Sequence, residues 1–534
     1  MSTAGRPNIL LVVADCARAD KWLGGGRPSK TPNLDRLAAE GVACSTVIAE
    51  TACTTPCFAA MLTGAFSFRH GIASVGGYRL VDELPTLPQV LKSHGYHTYF
   101  EATGPLLPLA GLTRGFDEYN YRIAMEYLHS DWGVKFIERL RSGGFKAPWF
   151  IVLHLWELHL PRQVLRPFRS RAFGRTPYDR AVSSLDSQLP RLREAAGANT
   201  LWLFTGDHGE KTAEESYQPG TAVTHAAALY GADRTPAMGR FGPHKLLGPV
   251  GTAQLRARFQ PRLEAFSQRE TPRQIGHGLW RRLSDTWQIL KLAPSRRITD
   301  LLRLRSDAGR AKVVAERGVL DESAAASRLD RLIAALGEDR VFDMYLRMWA
   351  GMLRLHLLAG HVVHVYDFLT RVPLVLHWPE GLRGGLKTDR LLRQVDIGRT
   401  ILDLIGVEPP PGFSPDGRTF KPLIEGAAWT PHPAYLSVTG QPRDLTLRGI
   451  RTETHRFVYG PADNAVPREL YDLRTDPGER MNIAAREPAL CEELRATTEA
   501  MLPVDGPRVR RLDDLTPAQQ RQIETRLREL GYVE

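Results

Sequence analysis

Three side chains suited to holding a divalent cation stand at the ends of apolar runs in this 534-residue chain: Asp15, after Asn8 to Ala14, and the pair Asp207-His208, after Thr200 to Thr205. Two carboxylates and an imidazole form a borderline-to-hard donor set, fitting Zn²⁺, Mn²⁺ or a similar ion. Such an ion lowers the pKa of a coordinated alcohol enough to make it a nucleophile near neutral pH. A candidate alcohol is Thr54, within Thr51-Ala-Cys-Thr-Thr-Pro-Cys-Phe-Ala-Ala-Met-Leu-Thr-Gly64. There a polar, turn-like run opens into an apolar helical one. Pro56 suits a first helical turn and sets Thr54 or Thr55 near the N-cap, beside free backbone N–H groups and the positive end of the helix dipole. An alkoxide or a transferred phosphoryl group is stabilised at such a place. A Thr before a Pro also simply caps helices. His159 and His361 are spare imidazoles for binding the transferred group or protonating the leaving group. Each residue alone has a plain structural role open to it, a core histidine or a turn aspartate; their combination points to a site.

The elements that must position these residues are legible as well. Asn8–Ala14, Trp149–Leu155, Thr200–Thr205 and Val372–His377 are continuous apolar runs, the pattern of strands buried on both faces of a mainly parallel sheet. Tyr96–Glu101 reads as a further strand. Helical patterns cover Leu34–Glu40, Thr54–Leu62, Leu87–His94 and Tyr178–Arg193. Alternating strands and helices predict an α/β fold, and ligands gather at the carboxyl ends of such strands, where Asp15, His159, Asp207 and His208 all fall. The connection from the third to the fourth of these apolar runs is far longer than an ordinary one. It reads as a basic, helical insertion at about 211–358, with patterns near Arg256–Arg269, Ile275–Leu292, Arg297–Leu304, Ser323–Leu336 and Val341–Ala359. The last is strongly apolar, a core helix, a lid or a helix lying on a membrane surface. After Gly406 the chain turns Pro-rich, and strand-like pieces from Ala434 onward precede a terminal helical region. The expected organisation is a catalytic domain over 1–425 and a small C-terminal α+β domain over 426–534.

Composition narrows the classes. The formal charge of +11 allows an acidic partner, a membrane surface or an anionic substrate. No Lys/Arg run is dense enough, and no aromatic interleaving regular enough, for a nucleic-acid module. The five cysteines lack metal-ligand spacing and do not suggest a disulfide framework. No signal-peptide pattern and no apolar stretch long enough for a transmembrane helix is present, so the cytoplasm is the expected compartment. The oligomeric state is not legible.

These residues carry a family resemblance. Pro7-Asn-Ile-Leu-Leu-Val-Val-Ala-Asp15 followed by Thr31-Pro-Asn-Leu-Asp-Arg-Leu-Ala38 and Gly41 resembles the opening of the sulfatase family of the alkaline phosphatase superfamily. The Thr54 stretch with His70-Gly71 is similar to that family's nucleophile helix. Gly115-Phe-Asp-Glu-Tyr119, His154-Leu-Trp-Glu-Leu-His159, Thr205-Gly-Asp-His-Gly-Glu210 and Tyr366-Asp-Phe-Leu-Thr-Arg-Val-Pro-Leu374 match further motifs, and Glu469-Leu-Tyr-Asp-Leu473 with Asp476-Pro-Gly-Glu-Arg-Met-Asn-Ile483 closes the series. The resemblance implies a mixed, mainly parallel sheet flanked by helices, with a small C-terminal α+β domain. It implies in-line displacement at sulfur or phosphorus through a covalent intermediate on Thr54. Asp15, Asp207 and His208, joined by Thr54, match its metal positions. His159 matches a substrate-contacting His and His361 a second His near the leaving group, a role His364 takes if the insertion shifts the register.

The departures are specific. Sulfatases carry Cys-x-Pro-x-Arg with the Cys oxidised to formylglycine; here the Cys position is Thr54, Pro56 is kept, and the Arg position is Phe58. The family's doubled Asp is Asp15-Cys16. A formylglycine hydrate has a second hydroxyl to expel sulfate, whereas an ester on threonine must be cleaved by water, as in the phosphatases and phosphodiesterases of the superfamily. The sequence therefore leads one to expect a metal-dependent hydrolase of a phosphate or phosphonate ester, working through Thr54. Alternatives are a sulfuric ester hydrolase, a phosphoryl-group transferase, and an inactive binding protein of the same fold. Zn²⁺ or Mn²⁺ is the favoured ion, with Ca²⁺ or Mg²⁺ also open. The substrate would be a small molecule or a lipid- or glycan-linked phosphate or sulfate ester, with specificity supplied by the insertion.

Overall fold

The computed structural model describes residues 5–122, 126–212, 364–440, 445–460, 468–506, 510–512 and 516–529, with a few short pieces between 254 and 342. His361 and most of the insertion's expected helices, including most of Val341–Ala359, lie outside the described residues.

β1 (Asn8–Ala14) occupies the middle of a nine-stranded sheet because its residues are buried on both faces. Ile9, Leu11 and Val13 join one hydrophobic cluster, with Phe58, Met61 and Leu62 of the helix Thr54–Thr63 and with Ile397 and Ile401 of the helix Val395–Leu404. Leu10, Val12 and Ala14 join the other, with Val182 of the helix Pro177–Asp186 and Leu192 of the helix Leu189–Ala196. The alternation of side chains along a strand thus builds a helix–sheet–helix sandwich from one apolar run.

The remaining strands of this sheet are β2 (Val42–Ile48), β3 (His97–Ala102), β4 (Glu118–Tyr121), β5 (Trp149–Leu155), β6 (Thr200–Gly206), β7 (Arg371–His377), β8 (Leu386–Thr388) and β9 (Leu392–Arg393). Their order is β4-β3-β5-β1-β6-β7-β2-β8, with β9 pairing β2. From β4 to β6 all neighbours are parallel; β7 runs antiparallel to both β6 and β2. The fold is the mixed, mainly parallel α/β architecture expected. A second sheet, antiparallel, contains β10 (Ala434–Gly440), β11 (Leu445–Arg451), β12 (His455–Tyr459) and β13 (Glu469–Asp472), and the helix Pro488–Met501 packs on it.

Two local expectations are corrected. The predicted helix Tyr178–Arg193 is two helices, Pro177–Asp186 and Leu189–Ala196. Pro190 cannot donate to the carbonyl four residues back and its ring would strike it, so it starts a new helix instead. The strand β2 was not apparent, because Ser45 and Thr46 interrupt its apolar run where the register with β7 shifts between Cys44 and Val47. Among the described residues no helix is long and apolar enough to cross a membrane.

Candidate functional site

The register of the central strands assembles the site. Val13 lies opposite His154 of β5 and Ala14 opposite Gly206 of β6, so the residues following β1 and β6, Asp15 and Asp207, leave the sheet side by side at its carboxyl edge. The helix Thr54–Thr63 aims its first turn at the same edge. Its N-cap is Cys53, which makes no side-chain capping bond. The capping role open to Thr54 and Thr55 is not taken: Thr55 Oγ1 donates to the Val75 carbonyl, and Thr54 Oγ1 donates to Asp15 Oδ2 at 3.2 Å. Every residue of this helix is buried. It closes at Gly64, whose φ of 63° is left-handed and where a Cβ would collide with Ser414.

Thr54 Oγ1 also lies 3.3 Å from His208 Nε2, and His208 Nε2 lies 3.4 Å from Asp207 Oδ2. His154 Nε2 is 3.4 Å from Asp15 Oδ2. Asp207 Oδ1 is fixed by the backbone N–H groups of Cys16 (3.1 Å) and His208 (2.7 Å), while Gln394 Nε2 donates to the carbonyls of Gly206 and Asp207. His159 is buried, its ring stacked on Trp156 with centroids 4.1 Å apart. The structure thus brings Asp15, Thr54, Asp207 and His208 into contact. His364, the alternative to His361, is committed elsewhere: its Nδ1 accepts from the Val365 N–H and its Nε2 meets Glu469 Oε1 at 3.1 Å.

His154, which opens the motif His154-Leu-Trp-Glu-Leu-His159 but was given no role of its own, belongs to the cluster.

Whether these residues fit a cation can be decided from their own hydrogen bonding. The Nδ1 atoms of His154, His159 and His208 face backbone carbonyls of Thr103 (3.2 Å), Leu160 (2.7 Å) and Gly209 (2.8 Å), which only accept. Each neutral ring therefore carries its proton on Nδ1 and presents the Nε2 lone pair. For His154 and His208 that lone pair points at a carboxylate oxygen, so acceptors confront acceptors. Asp15 Oδ1, Asp207 Oδ2 and His154 Nε2 are buried with no hydrogen-bond partner. Donor atoms of Asp15, His154 and Asp207 lie within 4.8 Å of one another, as do those of Asp15, Cys16 and His208. Burial works against ionising Asp15, but the imidazoles of His154, His159 and His208, when protonated, outweigh it and hold the carboxyl well below the usual carboxylate range. Burial, and then the Asp15 charge, push the Asp207 carboxyl well up. Two wholly buried carboxylates that cannot both ionise without a counter-charge, facing lone pairs, are what a divalent cation would satisfy. The residues fit one.

Around this centre Arg18 is held by both oxygens of Asp20 (2.9 and 2.8 Å) and donates to the Glu210 carbonyl at 3.1 Å. Arg162 lies 3.4 Å from the Glu210 carboxylate.

The family model described as Sulfatase matches residues 7–245, which contain Asp15, Thr54, His154, His159, Asp207 and His208. Over these residues the chain is similar to the sulfatase family. Residues 363–502 match a second model, N-sulphoglucosamine sulphohydrolase, C-terminal. An N-acetylglucosamine-6-O-sulfatase of Bacteroides thetaiotaomicron is 23% identical over 511 residues, covering 90% of this chain and 82% of that protein. Human arylsulfatase D is 38% identical over 108 residues, 18% of each chain, so this chain spans less than a fifth of that relative's length. Among solved structures, a 2-O GAG sulfatase aligns with a TM-score of 0.52 at 14% identity, covering 93% of this chain and 91% of the other. A protein solved in complex with k-i-k-neocarrahexaose aligns at 0.54 and 15%, covering 99% of each. At such identities these two likenesses show the fold alone. The family's cation is typically Ca²⁺ or Mg²⁺, ions that the sequence placed behind Zn²⁺ and Mn²⁺.

Proposed function

We propose that this chain is a metal-dependent hydrolase of sulfate esters, on a glycan or another small carrier, with the Thr54 hydroxyl as the attacking group. The observation that carries the reading is the placement of Thr54 Oγ1, within hydrogen-bond reach of both Asp15 Oδ2 and His208 Nε2 and beside orphaned donor atoms that fit a cation. The comparisons support a sulfuryl group as the group transferred, since the Sulfatase model and the N-acetylglucosamine-6-O-sulfatase relative are named for sulfate esters and the second model for an N-sulfated sugar. This reverses the order of preference that the sequence suggested.

Asp15, Asp207, His208 and Thr54 would hold the metal, with His154 beside them. A bound divalent cation would lower the pKa of the Thr54 hydroxyl and neutralise charge on the transferred group. The protein's own residues supply the rest. The Thr54 proton has two acceptors within reach, Asp15 and His208. As the Thr54 Oγ1–sulfur bond forms, the bond from sulfur to the ester oxygen breaks, and that oxygen takes a proton from an acid, the role assigned to the imidazolium form of His159, whose Nε2 then carries a proton. Water then attacks the sulfated Thr54, returning the hydroxyl and releasing sulfate.

One residue favours a second reading. Thr54 lacks the second hydroxyl by which a formylglycine hydrate expels sulfate, and a threonine ester resolved by water suits phosphate or phosphonate esters equally well. The full chain, supplied in turn with Mg²⁺, Ca²⁺, Mn²⁺ and Zn²⁺, should be offered aryl sulfate, aryl phosphate mono- and diester, aryl phosphonate and a 6-O-sulfated amino sugar. Turnover of sulfates is the expected result. Turnover of phosphoryl substrates alone would overturn the sulfate reading in favour of the second. Metal binding without turnover of any substrate would point to a transferase or a binding protein, and an intact-mass search for a modified Thr54 would separate those two.

A further inference from the structure

Cys16 is the residue at this edge that the proposed chemistry leaves unused. Its backbone has φ 61°, a left-handed conformation that a non-glycine side chain adopts only when its surroundings impose it. Here they do: the N–H donates to Asp207 Oδ1, and the carbonyl accepts from Tyr178 O–H at 2.5 Å. Asp207 is thereby tied to Cys16 through the backbone. Cys16 is wholly buried, and its Sγ, a donor atom of Asp15 and a ring nitrogen of His208 lie within 4.8 Å of one another. Independently of the cysteine, Asp15 Oδ1 and Asp207 Oδ2 are buried without partners. Among the described residues no other cysteine belongs to such a group.

We propose that Cys16 Sγ is a ligand of the cation held by Asp15, Asp207 and His208, and that it turns the site from hard-ion binding towards thiophilic ions such as Zn²⁺. The proposal rests on the metal-site reading above. Sulfur, imidazole and carboxylate together are a donor set for Zn²⁺ or Co²⁺, whereas Ca²⁺ and Mg²⁺ take oxygen. On coordination the thiol proton leaves to water and sulfur donates as thiolate. The strained backbone has a use under this assignment, since it holds Cys16 beside Asp15 so that neighbouring residues can both reach one ion.

The test uses the full chain stripped of metal and titrated with Co²⁺ as a spectroscopic probe, then with Zn²⁺, Mg²⁺ and Ca²⁺ in competition. A near-ultraviolet thiolate-to-cobalt charge-transfer band is expected in the wild type and should be absent in Cys16→Ser. Zn²⁺ affinity should fall by about tenfold or more in Cys16→Ser, and Cys16→Asp should shift the preference towards Mg²⁺ and Ca²⁺. Cys16→Gly, which tolerates the positive φ, guards against misfolding, and metal-free melting curves of all variants report on it directly. Co²⁺ bound stoichiometrically without the band, with Zn²⁺ affinity unchanged in Cys16→Ser and Cys16→Gly, would overturn the role of Cys16 and leave the metal site standing. No metal bound by the wild type would overturn both.

Discussion

Thr54 Oγ1 donates to Asp15 Oδ2 at 3.2 Å, although the two lie 39 positions apart and belong to different elements. The contact joins the first turn of a fully buried helix to the end of the central strand. It makes a threonine that had the look of a helix cap into a group aimed at a cluster of charges. The N-cap itself needs no hydroxyl, so the Thr54 side chain is kept for something else.

Replacing Thr54 therefore separates chemistry from folding. Thr54→Ala should lower turnover by several orders of magnitude, because a nucleophile is removed rather than displaced. Its effect on stability should be small, about 1 to 2 kcal/mol, the scale of one buried hydrogen bond, and helix propensity favours Ala. Thr54→Ser should retain measurable activity. Steady-state kinetics and urea midpoints on the three proteins check this; equal rates in wild type and Thr54→Ala would remove Thr54 from the reaction.

His154 should prove to be part of the metal site. With its Nδ1 proton on the Thr103 carbonyl, its lone pair confronts Asp15 Oδ2 unless a cation intervenes. In His154→Gln, metal affinity should fall by about 10- to 100-fold, and the rise in Tm that metal produces should shrink accordingly. The metal-free proteins should melt close together. An undiminished metal-dependent rise in Tm would show that His154 merely fills the core.

Legibility in the sequence followed position in the elements. Asp15 and Asp207-His208 could be found because each ends an apolar strand, where a polar residue breaks the pattern and a parallel sheet gathers its ligands. The role of His154 could not, although it opens a matched motif, because it sits inside such a strand, and only the pairing of β5 with β1 reveals that it points to Asp15. β2 escaped notice because a polar step hides its period. The capping expectation for Thr54 followed local rules that a tertiary contact overrode. That the fold is mixed α/β was plain from the buried runs alone, whereas the antiparallel direction of β7 depends on where the long insertion returns the chain. The choice between sulfate and phosphate turned on a single residue type, and one residue outweighs neither two family models nor a relative matched over most of the chain.

Arg456 should be among the costliest residues to remove. It is wholly buried in β12, with Glu469 Oε2 at 3.3 Å, an ion pair to Glu479, and its guanidinium 4.4 Å from the Tyr366 ring centroid. Burial works against its charge, but Glu479 and Glu469 outweigh it. Glu479 also receives the Asp367 N–H, so the network ties the short helix Asp367–Thr370 that leads into β7 to the second sheet. Arg456→Met leaves two carboxylates buried without their counter-charge and should cost about 3–5 kcal/mol in denaturant unfolding. Adding Glu469→Gln and Glu479→Gln should recover much of that loss. A single-variant cost below about 1 kcal/mol would mean that the network is solvated and weak.

Glu50 should give the protein a pH-dependent element away from the metal. It is buried four residues before Thr54, where its carboxylate accepts from the Ser67 N–H at 2.8 Å, the Ser67 hydroxyl and the Ser437 hydroxyl at 2.9 Å, with His70 Nε2 at 4.0 Å. Burial raises its pKa from 4.5 to about 7 despite these donors, and Asp416 adds to the rise. Between those two values the folded chain holds a proton that the unfolded chain has lost. The contribution is therefore fully present below the lower value and is lost as pH rises through the upper one, by at most on the order of 3 kcal/mol. Asp186 and Glu479, also raised, act in the same direction, while the buried His70, depressed to about 3, acts in the opposite one. The difference between wild type and Glu50→Gln isolates the Glu50 part. Urea midpoints should converge at acidic pH, and near pH 8 the variant, which cannot ionise, should be the more stable. Parallel stability profiles for the two proteins across this range would show that Glu50 ionises in the folded chain as it does in the unfolded one.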